Sequence, residues 1–344
     1  KARIDRRPVV VVSAMGKTTN KLLAIAGSAV AGKLDDALKL LEELRAFHLK
    51  EAAGLNLDAA IGEHFSELEA LARGLAVMGE FTPRATDAVS ALGERLSSLV
   101  VAAEFRRCGM DTAHVDSRSV IVTDRRHSQA APLFAQTNTK LQATIPQLAA
   151  KQVVVMGGFI ASTEDGVTST LGRGGSDYTA SIVGAGIDAE EIQIWTDVDG
   201  VLSADPRRVP EATVIDSLSY HEAMELAYFG AKVIHPATMA PAVAKKIPIW
   251  IRNTFAPDKP GTLITEHPTS VHPVKGITSI DGVALVNVEG AGMIGVPGTA
   301  QRLFGALREG GISVILISQG SSEHSICFAI PQAEADRTAR IVGE

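Results

Sequence analysis

Five short apolar runs that alternate with helical patterns constrain this chain more than any other feature. They are PVVVVSA (8–14), SVIVTD (119–124), QVVVMGGFI (152–160), EIQIWTDVDG (191–200) and IPIWIRNT (247–254). A strand with one wet face alternates apolar and polar residues, whereas a run apolar at consecutive positions must be covered on both faces. Helical stretches separate these runs: DDALKLLEELRAFHLKEA (35–52), TDAVSALGERLSSLVVAAEFRR (86–107) and MAPAVAKK (239–246). The alternation predicts a mostly parallel sheet between helical layers, a three-layer α/β/α sandwich. Ligand sites in such sheets gather at the carboxyl ends of the strands. Three polar or glycine-bearing loops directly follow strands here: SAMGKTT, GGFIAST running on to LGRGGSD, and TDVDG.

With 344 residues the chain can bury two sizeable cores. Its character changes at APDKPGTLITEHPTSVHPVKG (256–276), which holds four prolines. The expected division is a first domain over 1–264, closed by a last strand at GTLI, a linker over 265–275, and a second unit over 276–344. That unit reads GVALVNVEG, a helix over TAQRLFGALREG, ISVILISQG, SEHSICFAI and a helix from PQAEADRTARIV. The order β-α-β-β-α is most of a ferredoxin-like α+β unit, incomplete by its fourth strand. An open sheet edge needs covering, so a partner chain or a further segment is expected there, and a homodimer or larger homo-oligomer rather than a monomer.

The net charge of −6 gives no reason to expect nucleic acid or a membrane surface as partner. No run approaches the roughly 18 apolar residues that span a bilayer. The opening KARIDRRPVVVVSAMG is basic and then apolar, but its apolar run is short, β-branched and ends at Ser13, so a strand is expected rather than a signal peptide. Two distant cysteines, Cys108 and Cys327, fit a reducing, cytoplasmic setting. Nine histidines show no metal-site spacing; His221 and His235 read as capping or packing residues, and no protein metal site is expected.

Two nucleotide-loop signatures are near misses. Gly16-Lys17-Thr18 lacks the P-loop's earlier glycine, since Val11 stands there. Gly172 and Gly174 lack the dinucleotide fingerprint's third glycine, since Asp177 stands there. Gly184-Ala185-Gly186 lacks it too and reads as helix packing. What LGRGGSD retains is an anion site: Gly172, Gly174 and Gly175 precede the helical pattern SDYTASIVGAG, so their N–H groups can converge on an oxyanion at a helix N-terminus. Ser176 or Asp177 reads equally well as that helix's cap. Arg173, flanked by glycines, reads as an anion ligand in preference to a surface cation. In WTDVDGVLSADPR, Asp197, Asp199 and Asp205 lie near a strand end with Arg207 beyond them. A carboxylate there can hold Mg²⁺ or a ribose hydroxyl and the arginine a phosphate; a turn rich in Asp and Gly fits the spacing nearly as well. Lys232 in YFGAKVIHP follows a glycine and is by itself an ordinary solvated lysine.

Taken in order, VVVVSAMGKTTNKL, LGERLSS, GGFIAST, TLGRGGSDYTA, IWTDVDGVLSADPR and SYHEAMELAYFGAKVIHPAT resemble the aspartate kinases, within the amino acid kinase family. GVALVNVEGAGMIGVPGTA and ISQGSSEHSICFAI resemble their attached ACT regulatory domain, most closely that of the threonine-sensitive forms, which include forms fused to homoserine dehydrogenase. The resemblance covers nearly the whole chain. It implies an eight-stranded, mostly parallel sheet with ACT-mediated dimers, and transfer of the γ-phosphoryl group of ATP, with Mg²⁺, to the β-carboxylate of L-aspartate. Such an enzyme serves lysine, threonine and methionine biosynthesis. A carboxylate with a pKa near ~4 is already ionised, so no general base is needed and catalysis rests on positioning and charge neutralisation.

The resemblance also implies roles. Arg173 suits a bidentate clamp on the α-carboxylate of aspartate. Gly174 and Gly175 let backbone donors approach the phosphates. Glu94 and Asp177 face the substrate ammonium, with Asp177 alternatively near Mg²⁺. Ser13, Thr18 or Thr19, and Ser176 complete the amino acid pocket. Thr196 and Asp197 lie near ribose and base, Asp205 and Arg207 share the next turn with the arginine on phosphates, and Lys232 reaches across them. In the second unit Met293, Ile294, Gly295, Val296, Pro297, Gly298 and Thr299 form the effector loop, and Gln319 matches a glutamine associated with sensing L-threonine. A polar residue closing a hairpin is the plainer reading of Gln319.

Three features depart from the family. Its opening strand and KFGGTS loop, whose lysine contacts the transferring phosphate, have no counterpart here, and such a segment is expected ahead of these residues. Leu202 replaces a frequent tyrosine, and one incomplete ACT unit stands where two are usual. The rival expectations are a kinase of another acidic amino acid, such as glutamate or acetylglutamate, and a non-catalytic threonine-binding regulator on a degenerate kinase scaffold. A substrate panel separates the first, and ATP binding without turnover would mark the second.

Overall fold

A computed structural model describes residues 6–228, 236–269, 272–290, 293, 295–319 and 325–343. The chain divides into two units, Lys1–Ile277 and Thr278–Glu344.

The first unit opens with β1 (Val9–Val12), followed by three helices, α1 (Thr18–Val30), α2 (Leu34–Glu51) and α3 (Asp58–Met78). Leu22, Ile25, Leu41, Leu44, Ile61, Phe65 and Leu68 recur at helical spacing and form their shared, fully buried core. Asp35 and Asp36 in the first turn of α2, and Lys50 in its last, match the helix dipole. Next come α4 (Pro83–Ser90) and α5 (Leu92–Arg107). Thr82 caps α4, its Oγ1 accepting from Ala85 N at 3.2 Å, with proline at the first helical position. The single helical pattern over 86–107 thus spans two helices joined at Ala91, which keeps right-handed helical angles.

The sheet region follows with β2 (Thr112–Val115), β3 (Val122–Thr123), α6 (Phe134–Ala149), β4 (Val153–Gly157), β5 (Ile160–Thr163), β6 (Thr168–Thr170), α7 (Gly175–Gly186) and β7 (Ile192–Thr196). β4 is buried at every position and pairs in parallel with β1 (Val9↔Val154) and β2 (Thr112↔Val153), as its unbroken apolar sequence requires. β3 pairs in parallel with β5, and β5 forms an antiparallel pair with β6. The expected strand over 119–124 is shorter than its sequence suggests. Asp116 accepts from Arg118 N at 3.0 Å and starts a 3₁₀ turn through Ser119, leaving two residues as strand. The run over 152–160 is also interrupted: the chain leaves β4 at Gly157 and turns at Phe159, whose φ is 64°.

The unit is completed by β8 (Ser217–Ser219), α8 (Tyr220–Tyr228), α9 (Pro236–Ala244), β9 (Ile249–Asn253) and β10 (Thr262–Thr265). The sheet order is β7-β9-β10-β8, with β10 at the expected GTLI strand. Five of the seven strand pairings described in this unit are parallel. Where the resemblance implies one eight-stranded sheet, the ten described strands of this unit form three hydrogen-bonded sheets, and α7 packs on both β1 and β7. The connecting segment is held to this unit: Lys275 Nζ lies 2.8 Å from Glu222 Oε2, and Ile277 N donates to Ser203 O at 2.8 Å.

In the second unit β11 (Val283–Glu289), α10 (Thr299–Glu309), β12 (Leu316–Gln319), β13 (Ser325–Pro331) and α11 (Ala335–Gly343) follow the β-α-β-β-α order. The antiparallel sheet runs β11-β13-β12. Ile326, Phe328 and Ile330 of β13 meet Leu307 and Ile312 in its core.

Candidate active site

The carboxyl ends of β1 and β4 and the start of α7 meet where glycines remove the side chains that would separate them. A Cβ on Gly93 would stand 2.9 Å from Ala14 Cβ and 3.6 Å from both Thr18 Cγ2 and Thr19 Oγ1, so α5 lies directly against the loop after β1. One on Gly157 would stand 3.1 Å from Glu94 O. One on Gly158 would stand 2.7 Å from Ser176 Cα, and one on Gly175 2.5 Å from Phe159 Cδ2. Thr18, Thr19, Glu94, Gly175 and Ser176 therefore surround one strand end. Ser13 is the exposed residue just after β1.

Glu94 is the unusual group of this cluster. It is 5% exposed; its Oε1 accepts from Ala14 N at 3.2 Å, while its Oε2 is buried and accepts from no described residue. Burial pushes its carboxyl up from 4.5 to about 7, opposed by the Ala14 amide. A carboxylate left half-satisfied in a buried setting is costly unless a ligand supplies the missing donor. Asp177, in the first turn of α7, is also raised by burial. Gly172 and Gly174 have φ of 76° and 69°, which a side chain tolerates poorly, and Gly174 caps α7. Between them Arg173 is exposed and joined by no ion pair to a described residue. Its guanidinium thus stands on a glycine hinge beside a helix N-terminus that favours anions.

The second group lies at the end of β7. Thr196 Oγ1 is 3.2 Å from Asp197 Oδ1, and Asp197 is exposed. Asp199 is held by Asn253 Nδ2 at 2.6 Å and Lys259 Nζ at 2.5 Å, which keep its carboxyl below the usual range. Asp205 accepts from Arg207 Nε at 3.0 Å and Nη2 at 2.7 Å, and this pairing holds its carboxyl at about 2. The guanidinium of Arg207 is therefore engaged within its own turn and must exchange partners to take a phosphate. Leu202 bridges to Val214. Among the described residues, no hydrogen bond joins this group to the cluster around Glu94. Lys232 lies outside the described residues.

In the second unit, β11 and β12 both run antiparallel to β13, so their carboxyl ends lie at the same end of the sheet. Gln319 pairs with Ile326, and Ile326 with Val288. Directly opposed residues share a face, so Gln319 belongs to the helix-covered face. The loop of Met293, Gly295, Val296, Pro297 and Gly298 leaves that end and enters α10, with Gly298 at φ 90° and Thr299 Oγ1 donating to Val296 O at 3.0 Å. Ile294 lies outside the described residues.

Sequence reasoning missed two things here. The Gly157-Gly158 pair was legible as a loop after a strand, but its closeness to Glu94 and Ser176 was not. Asp87 carried no motif at all, yet it is fully buried and accepts from His127, Ser128 and Thr170.

A profile of the amino acid kinase family matches residues 1–253, and one of the ACT domain matches residues 286–344. The chain belongs to the amino acid kinase family. Within it, sequence and fold group the chain with the aspartokinases. Over 343 residues it is 42% identical to bifunctional aspartokinase/homoserine dehydrogenase 1, chloroplastic, of Arabidopsis thaliana, covering 96% of this chain and 38% of that protein. It is 35% identical to aspartokinase 1, chloroplastic, of the same plant, covering 95% and 58%. The chain thus spans about two fifths of the length of the bifunctional relatives it matches. E. coli aspartokinase III in complex with lysine and aspartate superimposes with a TM-score of 0.74 at 31% identity, covering 94% of this chain and 72% of that one. The same enzyme with aspartate and ADP gives 0.73 at 25% identity, covering 98% and 95%.

Proposed function

We propose that this chain is an aspartate kinase, forming 4-phospho-L-aspartate from ATP and L-aspartate, with threonine as its feedback inhibitor. The observation that carries this is the buried, half-satisfied carboxylate of Glu94 in the cluster that also holds Ser176 and the helix entered through Arg173. An α-amino acid needs an anion for its ammonium and a cation for its α-carboxylate, and Glu94 and Arg173 supply that pair. Thr19 and Ser176 offer hydroxyls nearby, whereas buried Thr18 turns its methyl toward Gly93 and its Oγ1 toward His48 Nε2 at 3.5 Å, which speaks against its expected place in the pocket.

The reaction balances without proton transfer. A β-carboxylate oxygen attacks the γ-phosphorus, the bond to the β–γ bridging oxygen breaks, and ADP leaves. This chain's contribution is to hold two anionic substrates together, which the helix N-terminus at Gly174-Gly175 favours. Arg207, released from Asp205, and Lys232 would neutralise phosphate oxygens, with Thr196 and Asp197 beside the nucleoside. Among the described residues no three His, Cys, Asp or Glu side chains converge as a metal cage. Mg²⁺ supplies charge neutralisation of the phosphates when bound, with Asp177 the acidic residue suited to hold it.

The sheet end shared by the Met293–Thr299 loop and Gln319 supports a small effector with a carboxylate for loop N–H groups and a hydroxyl for the amide. Lysine accompanies aspartate in the aspartokinase III structure, so lysine is the competing effector. Assembly through the second unit is supported by its exposed sheet face, and a homoserine dehydrogenase fused beyond these residues by the bifunctional relatives. No described helix is long and apolar enough to cross a membrane. Free Cys108 and Cys327 fit a reducing compartment, a plastid as readily as a cytoplasm given the chloroplastic relatives. The test is hydroxylamine trapping of the acyl phosphate, with ATP, Mg²⁺ and aspartate, with and without threonine. Threonine-suppressed hydroxamate is the expected result. ATP binding without hydroxamate would overturn the kinase reading and favour a regulatory fragment.

A further inference from the structure

We propose that Asp87 is the positioning residue of the amino acid pocket: it ties the loop 125–131 to the end of β6 and so sets where Arg173 stands. This rests on the reading above that Arg173 holds the α-carboxylate of aspartate.

Asp87 lies on α4 with no solvent exposure. Ser128 N donates to both of its oxygens at 3.0 Å, His127 Nδ1 lies 2.8 Å from Oδ2, and Thr170 Oγ1 donates to Oδ1 at 2.5 Å. A carboxylate has about four lone-pair sites, so these contacts saturate it. Its partners come from two different segments. His127 and Ser128 belong to the loop before α6, and Ser128 sits at a φ of 71°. Thr170 is the last residue of β6, three before Arg173.

The two segments run together up to the arginine. Ala130 N donates to Thr170 O at 3.0 Å, and a Cβ on Gly172 would stand 3.2 Å from Ser128 O. The loop that Asp87 holds is therefore the wall against which Gly172 turns. On the other side Leu171 N donates to Phe159 O at 2.9 Å, and Gly175 lies against Phe159. The backbone on both sides of Arg173 is fixed while its guanidinium is engaged by no described residue. Asp87 also shares the nearly continuous α4–α5 pair with Glu94, seven residues on. One buried carboxylate thus sets the offset between the group that takes the substrate's ammonium and the one that takes its α-carboxylate. A bidentate clamp has little tolerance, so a displaced guanidinium loses one of its two parallel N–H···O bonds and holds the α-carboxylate more weakly.

The test is steady-state kinetics on the full chain, varying aspartate and ATP separately, for wild type, Asp87→Asn and Thr170→Val. Asp87→Asn keeps the volume but turns an amide donor toward donors. It should raise KM for aspartate about tenfold or more and leave KM for ATP within about twofold, because only one substrate is clamped by Arg173. Thr170→Val removes one of the donors with little change of shape and should raise the aspartate KM about threefold. A merely structural role would instead lower the active fraction, reducing kcat with both KM values unchanged. That pattern, or equal weakening of both substrates, overturns the proposal. Should Asp87→Asn not fold, Thr170→Val decides by the same split. A wild-type chain that phosphorylates no aspartate overturns the kinase reading first and this role with it, an outcome distinct from an active wild type with unmoved variants.

Discussion

Glu94 carries opposite consequences for stability and for binding. Its folded pKa of about 7 lies above the ordinary 4.5, so the folded state keeps a proton that the unfolded chain has already released. Stability therefore falls as pH rises through that window, and the penalty is fully present above it. The shift corresponds to about 3 kcal/mol at most. Glu94→Gln should accordingly have a higher Tm than wild type at pH 8, with the difference vanishing toward pH 5, as thermal melts across that range would register. The same variant should bind aspartate at least tenfold more weakly, because an uncharged amide pairs poorly with an ammonium. In the wild type, aspartate needs the ionised form. Its KM should rise as pH falls below about 7, approaching tenfold per unit, while Glu94→Gln shows no such slope. A flat wild-type profile between pH 5.5 and 8 would remove Glu94 from the ammonium site. The residue type was legible in LGERLSS; its protonation was not, since burial and a missing partner are properties of the packed site.

At the scale of elements, the site depends on how closely β4 and α7 approach. Gly158 and Ser176 are in backbone-level contact, which no flexible side chain can relieve. Gly158→Ala should cost about 1–3 kcal/mol in denaturant melts and should lower kcat/KM for aspartate beyond the loss of folded protein. Wild-type stability and kinetics in that variant would mean the contact can slide. The strand-loop-helix order was readable from QVVVMGGFI and TLGRGGSD because apolar runs and glycine clusters are local signals. The lengths were less so. The strand over 119–124 shrank to two residues because Asp116 offers the backbone a competing turn, and the helical pattern over 86–107 divides at Ala91, its first helix starting back at a cap on Thr82.

At the scale of the molecule, the second unit exposes a leucine on each strand that flanks the buried Ala329 of β13. Leu285 pairs with Ala329 and Ala329 with Leu316, so the three share one sheet face, with Leu285 72% and Leu316 54% exposed. The two leucines on the face opposite the helices of that unit are thus left exposed. Leu285→Lys should shift the assembly toward monomer in sedimentation velocity and weaken threonine inhibition, while leaving unregulated turnover largely intact. An unchanged sedimentation coefficient would mean that other surfaces assemble the protein.

The sequence by itself determined the layer architecture and the chemical inventory of the site, because apolar periodicity and glycine-flanked charges are read within a few neighbouring residues. It also specified the β-α-β-β-α order of the second unit. Tertiary structure decided which of those charges are engaged and which are open. Arg207 closes on Asp205 two residues away, whereas Arg173 on its glycine hinge forms no ion pair with a described residue. It decided too that Asp87, unmarked in the chain, gathers donors from positions 127, 128 and 170. Such a node joins residues about 40 and 80 positions apart, and only the packing of α4 against β6 brings them within hydrogen-bond reach of one buried carboxylate.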